Sequence, residues 1–207
     1  MKISIDSRTI QAGDTFIPVK GKNFDGRDFV DEVIKKGGHV LDVDLFDYAK
    51  KYRQKLACTV IGITGSAGKT TLKELLFSVL NTSYNVVKTF ENQNNEFGVP
   101  LTLLSADDST DILIVEMGMR KKKDIEFLTM MVQPDIVVFS GVGKTHIEFF
   151  RNQRQLALAK AEIFRAAKSW QKEKERHAFL NSNGDYADLI EQKATKAGYI
   201  LNPYGGG

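Results

Sequence analysis

The sequence predicts an α/β protein: a mostly parallel sheet flanked by helices, built around a glycine-rich phosphate loop (P-loop) and preceded by a small α/β N-terminal domain. Three observations predict it. From residue 58 onward, short apolar runs without alternation recur, as in parallel strands covered by helices on both faces. Between them lie stretches whose apolar residues repeat at helical spacing. One apolar run ends in glycines that open directly into such a helix, "TVIGITGSAGKTTLKELL".

Taken in order, the first 57 residues read as a separate small unit. "KISI", "DTFIPV" and "HVLDV" have the length of short strands, punctuated by "QAGD", "GKNFDG" and "KKGG", the residue types that favour turns. "DLFDYAKKYRQKL" (44–56) is then a helix leading into the first strand of the main sheet, which puts the domain boundary near Ala57 and the second domain at 58–207. In that second part, 59–63, 111–117 and 135–140 are the clearest strands, and "NVVKT" (85–89) and "HAFLN" (177–181) are further candidates. Leu72, Leu75, Leu76, Val79 and Leu80 predict a helix packed on the sheet, and "QLALAKAEIFRAAKSW" (155–170) predicts a second one of several turns. Gly98-Val99-Pro100 has the form of a helix start. No internal repeat or low-complexity segment interrupts the pattern.

Composition limits the function classes. At 207 residues, 42% apolar and 27% charged, the chain has the balance of a globular protein. The start, "MKISIDSRT", is polar at once, and no apolar run approaches the roughly 20 residues that span a bilayer, so a cytoplasmic location without membrane attachment is expected. The single cysteine, Cys58, excludes an internal disulfide and a multi-cysteine metal site. The net charge of +3 is mild, and Arg120-Lys121-Lys122-Lys123 lacks the aromatic neighbours of a nucleic-acid surface; it reads as a solvated turn.

The phosphate loop is a partial match to the Walker pattern, because Ile63 stands where the early glycine belongs, with glycines at 62 and 65 instead. Its physics is nonetheless suited to an anion. A strand running through Gly65, Ser66, Ala67 and Gly68 into a helix at Lys69-Thr70-Thr71 places consecutive backbone N–H groups at a helix N-terminus. Lys69 would neutralise terminal phosphates and the Thr70 hydroxyl would ligate a bridging Mg²⁺. A second Gly-Lys-Thr, in "GVGKT" (141–145), also follows a strand, but no helical period starts at its lysine; it reads as a loop. For the first, an ordinary glycine-rich turn between strand and helix is the alternative.

Read together, "TGSAGKTTLKELL", "ENQNNEFGVPLTLL" (91–104), "VEMGM" (115–119) and "THIEFF" followed by "LALAKAEIF" resemble the Mur ligase family, and within it the branch that adds D-alanyl-D-alanine. "NQNNEFGVPLTLL" is the most specific of these. "DSRTIQAGDTFIPVKGKNFDGRDFV" is likewise similar to the uridine-nucleotide-binding start of related branches. The resemblance implies ATP-driven amide formation in peptidoglycan precursor synthesis: a carboxylate of a UDP-linked muramoyl tripeptide is phosphorylated by ATP, and D-alanyl-D-alanine displaces phosphate. It implies Lys69, Glu116, His146 and Lys160 as catalytic-site residues. Thr70, Glu116, His146 and a carbamylated Lys160 are implied for Mg²⁺, and Asn92, Asn94, Asn95, Ser7 and Arg8 for substrate. By themselves the asparagines could be turn formers, and Ser7-Arg8 a strand-to-turn transition.

The resemblance also sets three departures. Lys123 precedes Asp124 where the family usually carries glycine; only 19 residues separate Gly38 from Cys58, so part of the family's N-terminal domain is expected to be compressed or missing; and a full-length ligase would continue past "ILNPYGGG" into the rest of its central domain and a C-terminal ligase domain. The alternative expectation is therefore a truncated or split chain that binds nucleotide or substrate without catalysis on its own, with a possible partner chain supplying that domain. A phosphate-loop ATPase or small-molecule kinase is a third reading, which leaves "NQNNEFGVPLTLL" without a role.

Overall fold

The computed structural model describes residues 2–21, 23–143, 147–165 and 175–205. Two parallel sheets organise them. The first joins β1 (Ile3–Ser4), β2 (Thr15–Phe16) and β3 (His39–Val40) in that order, with α1 (Val30–Lys35) beside it. Phe16 and Ile10 bury against Val33 of α1 on one side. Ile17 and Val19 join the main core on the other. Gly13 and Gly37, both with positive φ, form the turns that lead into β2 and β3.

α2 (Leu45–Lys55) follows, capped by Asp44, whose carboxylate accepts from the amides of Phe46 and Asp47. It packs on α4 (Gly98–Leu104) and α5 (Asp124–Val132). Its Arg53 is buried and donates to the carbonyls of Val132, Leu56 and Gln133 and to Asp135. All three nitrogens of that guanidinium are engaged, which is what makes a buried cation tolerable.

The main sheet has the order β5-β6-β4-β7-β8-β9, all pairs parallel. Its strands are β4 (Thr59–Thr64), β5 (Val86–Lys88), β6 (Ile112–Glu116), β7 (Ile136–Phe139), β8 (His177–Asn181) and β9 (Ile200–Tyr204). The five stretches read as strands in the sequence are all present. β9 was not among them: it is an edge strand containing Pro203, and a missing N–H is tolerated at a sheet edge. α7 (Ala187–Lys196) connects β8 to β9.

Side-chain alternation divides the sheet into two faces. Ile61, Ile63, Ile114 and Val138 meet α3 (Lys69–Leu80) through Leu72, Leu76, Phe77 and Leu80. Val60, Leu113, Val115, Val137 and Phe139 face the larger core. The sequence expectation for α3 is corrected in part, since Leu75 and Val79 are 60% and 69% exposed. At about 100° per residue the stripe 72, 76, 80 defines the packed face, and residues 75 and 79 fall on its outer flank.

The long helix expected at 155–170 is also corrected. α6 (Gln153–Lys160) stops at Lys160, and the chain tightens into a 3₁₀ turn over Ala161–Phe164; 166–170 lie outside the described residues. The stretch 161–164 stays apolar in pattern because Ile163 and Phe164 are core residues, so hydrophobic period alone does not reveal the change of helix type. At the start of α5, Lys123 adopts φ 72. It takes the left-handed conformation that the glycine usual in the family would supply, at some cost in backbone strain. The basic run 120–123 is exposed, with Asp124 accepting from the amides of Arg120 and Lys121.

Candidate phosphate and metal site

The strand order reverses direction around β4, so the C-terminal ends of β6, β4 and β7 open onto one crevice, where ligands bind in open α/β sheets. Three segments leave these ends side by side: 65–68 after β4, 117–119 after β6 and 140–143 after β7.

The loop after β4 is shaped by two glycines. Gly65 has φ 149, and a β-carbon there would lie 2.0 Å from Ser140 Oγ. Ser140 Oγ in turn donates to the Ala67 carbonyl at 2.7 Å. Gly68, at φ 76, is the left-handed residue from which α3 starts. The Ser66 amide is spent on the Gly141 carbonyl at 3.0 Å. Among the described residues, the amides of Ala67 through Thr71 have no protein acceptor, as expected for a helix start. The Ser66 hydroxyl, 5% exposed, is also unpartnered there. Five consecutive free donors and an orphaned buried hydroxyl in one turn form a cradle fitted to an anion.

The charges around the loop are positive. Burial lowers the pKa of Lys69, offset in part by Glu116. Lys160, 2% exposed, donates to the Gly65 carbonyl at 2.9 Å. Burial first, and then the charge of Lys69, bring it down to about 7. The charge of Lys69 thus opposes that of Lys160, a repulsion that a bound anion would relieve.

Glu116 is placed by strand alternation. It ends β6 on the face of Ile112 and Ile114, opposite Ile63 in register, and therefore points toward α3. Only 1% exposed, its carboxylate accepts from Thr70 Oγ1 (3.0 Å to Oε2, 3.2 Å to Oε1) and from Asn94 Nδ2 (2.8 Å to Oε1). Lys73 Nζ lies 3.8 Å from Oε2. The Glu116 amide donates to Thr89 Oγ1. Among the described residues no group of three His, Cys, Asp or Glu side chains gathers into a metal site. What the described residues offer a hard cation here is one carboxylate and one hydroxyl, a donor set suited to Mg²⁺ that keeps waters and phosphate oxygens as its other ligands.

The remaining expected residues are distributed as follows. Asn95 Oδ1 accepts from the amides of Phe97 and Gly98 and so caps α4, while Asn92 is exposed. Asn94 packs so closely on Gly118 that a β-carbon there would lie 2.5 Å from Asn94 Oδ1. This contact gives the glycine of "VEMGM" a steric reason. Ser7 is buried and its carbonyl accepts from Lys36, whereas Arg8 is exposed and clasps Asp6 at 2.9 and 2.7 Å. That side-chain bond to Arg8 holds the Asp6 carboxyl at about 2. These two belong to the 3₁₀ turn after β1, apart from the network on Glu116. His146 lies outside the described residues, as do Lys144 and Thr145 of the second Gly-Lys-Thr. Lys73, Thr89 and Ser140 are the participants that sequence reasoning missed. Lys73 carried a weak signal, a lysine four residues past Lys69 on the same helix; the other two carried none.

A strand, a glycine loop with free amides, and a helix whose first threonine meets an acid from the neighbouring strand define an α/β protein of the phosphate-loop class. The comparisons narrow this. The family model described as the Mur ligase middle domain matches residues 63–205, and that of the Mur ligase family, catalytic domain, matches 2–76; the chain belongs to the Mur ligase family. It is 37% identical over 187 residues to the UDP-N-acetylmuramoyl-tripeptide–D-alanyl-D-alanine ligase of Bacillus subtilis, covering 80% of this chain and 41% of the relative. It is 31% identical to the Escherichia coli enzyme of the same name, over 78% and 40%. Among solved structures, MurF from Acinetobacter baumannii superposes with a TM-score of 0.87 at 28% identity, covering 100% of this chain and 48% of that one. MurF ligase from Thermotoga maritima, in complex with ADP, does so at 0.77 and 28%, over 100% and 51%. The chain thus spans about two fifths of these curated relatives and half of the solved ones.

Proposed function

We propose that the chain forms the substrate-nucleotide-binding domain (1–57) and the ATP-binding central domain (58–207) of a cytoplasmic ligase. This ligase joins D-alanyl-D-alanine to UDP-N-acetylmuramoyl-tripeptide in peptidoglycan precursor synthesis. The observation that carries the reading is the pairing of the free-amide loop with the Thr70–Glu116 contact, which sets a phosphate cradle beside a single hard-oxygen metal position. The likeness to ligases bearing that name supplies the reaction.

In this reading the amides of Ala67 to Thr71 and the Ser66 hydroxyl hold the terminal phosphates, and Lys69 neutralises them. The tripeptide carboxylate takes the γ-phosphoryl group of ATP, releasing ADP and forming an acyl phosphate, and the amine of D-alanyl-D-alanine then attacks the acyl carbon, forming the amide and expelling phosphate and a proton. Thr70 and Glu116, together with His146, would hold a Mg²⁺ ion, which would supply screening of the repulsion between carboxylate and phosphate. Lys160, with a pKa near 7, presents a substantial neutral fraction at physiological pH; that amine can add to CO₂, releasing a proton and becoming a carbamate with oxygen donors. Asn92 and Asn94 border the crevice from the 91–95 loop, and Ser7 and Arg8 receive the uridine nucleotide.

A second reading rests on the span of the chain, about two fifths of its curated relatives: it binds nucleotide and substrate, and a partner chain brings the domain that delivers the amine and closes over ATP. Calorimetric titration of ADP with Mg²⁺ tests the site, with binding expected for the wild-type chain and lost in Lys69→Ala. Phosphate release with ATP, the UDP-linked tripeptide and D-alanyl-D-alanine then separates the two readings. Turnover by the chain alone supports the first, and turnover only with an added C-terminal domain supports the second. Absence of nucleotide binding would remove both.

A further inference from the structure

Lys73 is fully buried, at 0% exposure, in a helix whose packed stripe is otherwise apolar. A buried ammonium is costly unless paired and hydrogen-bonded, so its partners identify its role. Nζ donates to the Glu91 carbonyl and lies 3.4 Å from Glu74 Oε1 and 3.8 Å from Glu116 Oε2. Glu91 has φ 45, a left-handed conformation that a non-glycine residue keeps only where its surroundings hold it. The Lys73 bond supplies that hold. Beyond this turn, Asn94 donates to the other oxygen of Glu116, and Asn95 caps α4.

Lys73 and Thr70 therefore grip Glu116 from α3 while Asn94 grips it from the 91–95 loop, and Lys73 also holds the loop itself. We infer that Lys73 is a positioning residue: it clamps the 91–95 loop onto the helix of the phosphate loop and fixes the orientation of the Glu116 carboxylate, so that loop and nucleotide site order together. The inference rests on the proposed function only in assigning Glu116 to the nucleotide's metal.

Two measurements on the whole chain test it, with Lys73→Met, Lys73→Gln and Lys73→Arg variants and the exposed Lys55→Met as control. The first is hydrogen exchange of the Gln93, Asn94 and Phe97 amides. Lys73→Met is expected to exchange there roughly tenfold faster, the effect of losing one buried charged hydrogen bond. α5 and β7 keep wild-type rates, and Lys73→Arg recovers most of the protection. The second is Mn²⁺ affinity in the presence of ADP, read by electron paramagnetic resonance. A loss of about tenfold is expected in Lys73→Met, with metal-free ADP affinity unchanged, a split that a merely structural role would not produce.

Unchanged exchange at 93–97, or faster exchange everywhere alike, overturns the clamp; an unchanged Mn²⁺ affinity overturns the orientation of Glu116. Should Lys73→Met not fold, Lys73→Gln decides: it keeps a donor for the Glu91 carbonyl and loses the charge, so protected amides with weakened Mn²⁺ binding are expected, and wild-type Mn²⁺ binding overturns the inference. If the wild-type chain binds no Mn²⁺ with ADP, the proposed function fails, and the exchange comparison still decides the clamp.

Discussion

Cations withdrawn from solvent, buried Arg53 on one side and buried Lys160 with half-buried Lys69 on the other, are handled in opposite ways in this chain. Arg53 has its charge matched by Asp135 and its other donors matched by three carbonyls, and Asp135 also accepts from the Val60 amide at the start of β4. Lys69 and Lys160, at the other end of the same strand, oppose each other, and burial disfavours the charge of both. The first arrangement is complete within the protein and ties α2 to the sheet. The second is complete only when something negative is added. Buried charge therefore marks a ligand site where its pairing is unfinished, and scaffold where it is finished.

The largest effect that would sharpen this contrast is on stability. Arg53→Met leaves Asp135 buried without its cation and is expected to cost about 3–5 kcal/mol in urea unfolding, with ADP affinity of the folded fraction unchanged. A loss of nucleotide binding equal to that of Lys69→Ala would break the distinction. Lys69→Ala should behave in the opposite sense. ADP affinity falls roughly a hundredfold, as for a charged hydrogen bond, while the melting temperature changes little, because burial disfavours the charge that is removed and Glu116 offsets this only in part.

Lys160 provides the pH test. Its pKa is about 7 in the folded chain against an ordinary value of 10.5, so between those values the unfolded chain binds the additional proton. The penalty for burying its charge is fully present below pH 7 and fades as pH rises toward 10.5. Stability of the wild type relative to Lys160→Met should therefore rise across that window. A flat difference in urea midpoints would show that the ammonium is better solvated than its burial implies. The smallest expected effect is at Arg8, which is exposed and bonded only to its own turn. Arg8→Ala should leave the melting temperature unchanged and weaken binding of uridine diphosphate several-fold, about the worth of one exposed charged contact; equal affinity would remove Arg8 from the substrate site.

Legibility in the sequence followed how local each feature is. The strand, glycine loop and helix from Thr59 to Leu80 are specified by neighbours within a few residues, and the positions of Gly65, Gly68, Lys69 and Thr70 could be read directly. Glu116 was legible as a strand end. Its contacts with Thr70, Lys73 and Asn94 were not, because they join residues 46, 43 and 22 positions apart. The end of α6 at Lys160 escaped the helical period because the apolar pattern continues unchanged through a different helix type. β9 escaped because Pro203 argues against a strand wherever the edge position is unknown.

By itself, then, the amino-acid order determined the class of fold, the parallel strands and the glycine turn fitted to phosphate, since these depend on short-range sterics and on side-chain periodicity. Only the tertiary structure decided which carboxylate meets that turn, which lysines are buried and left partly uncompensated, and that Lys123 takes a glycine's conformation. Those outcomes depend on the dielectric and packing that distant segments create for one another, and no local pattern encodes them.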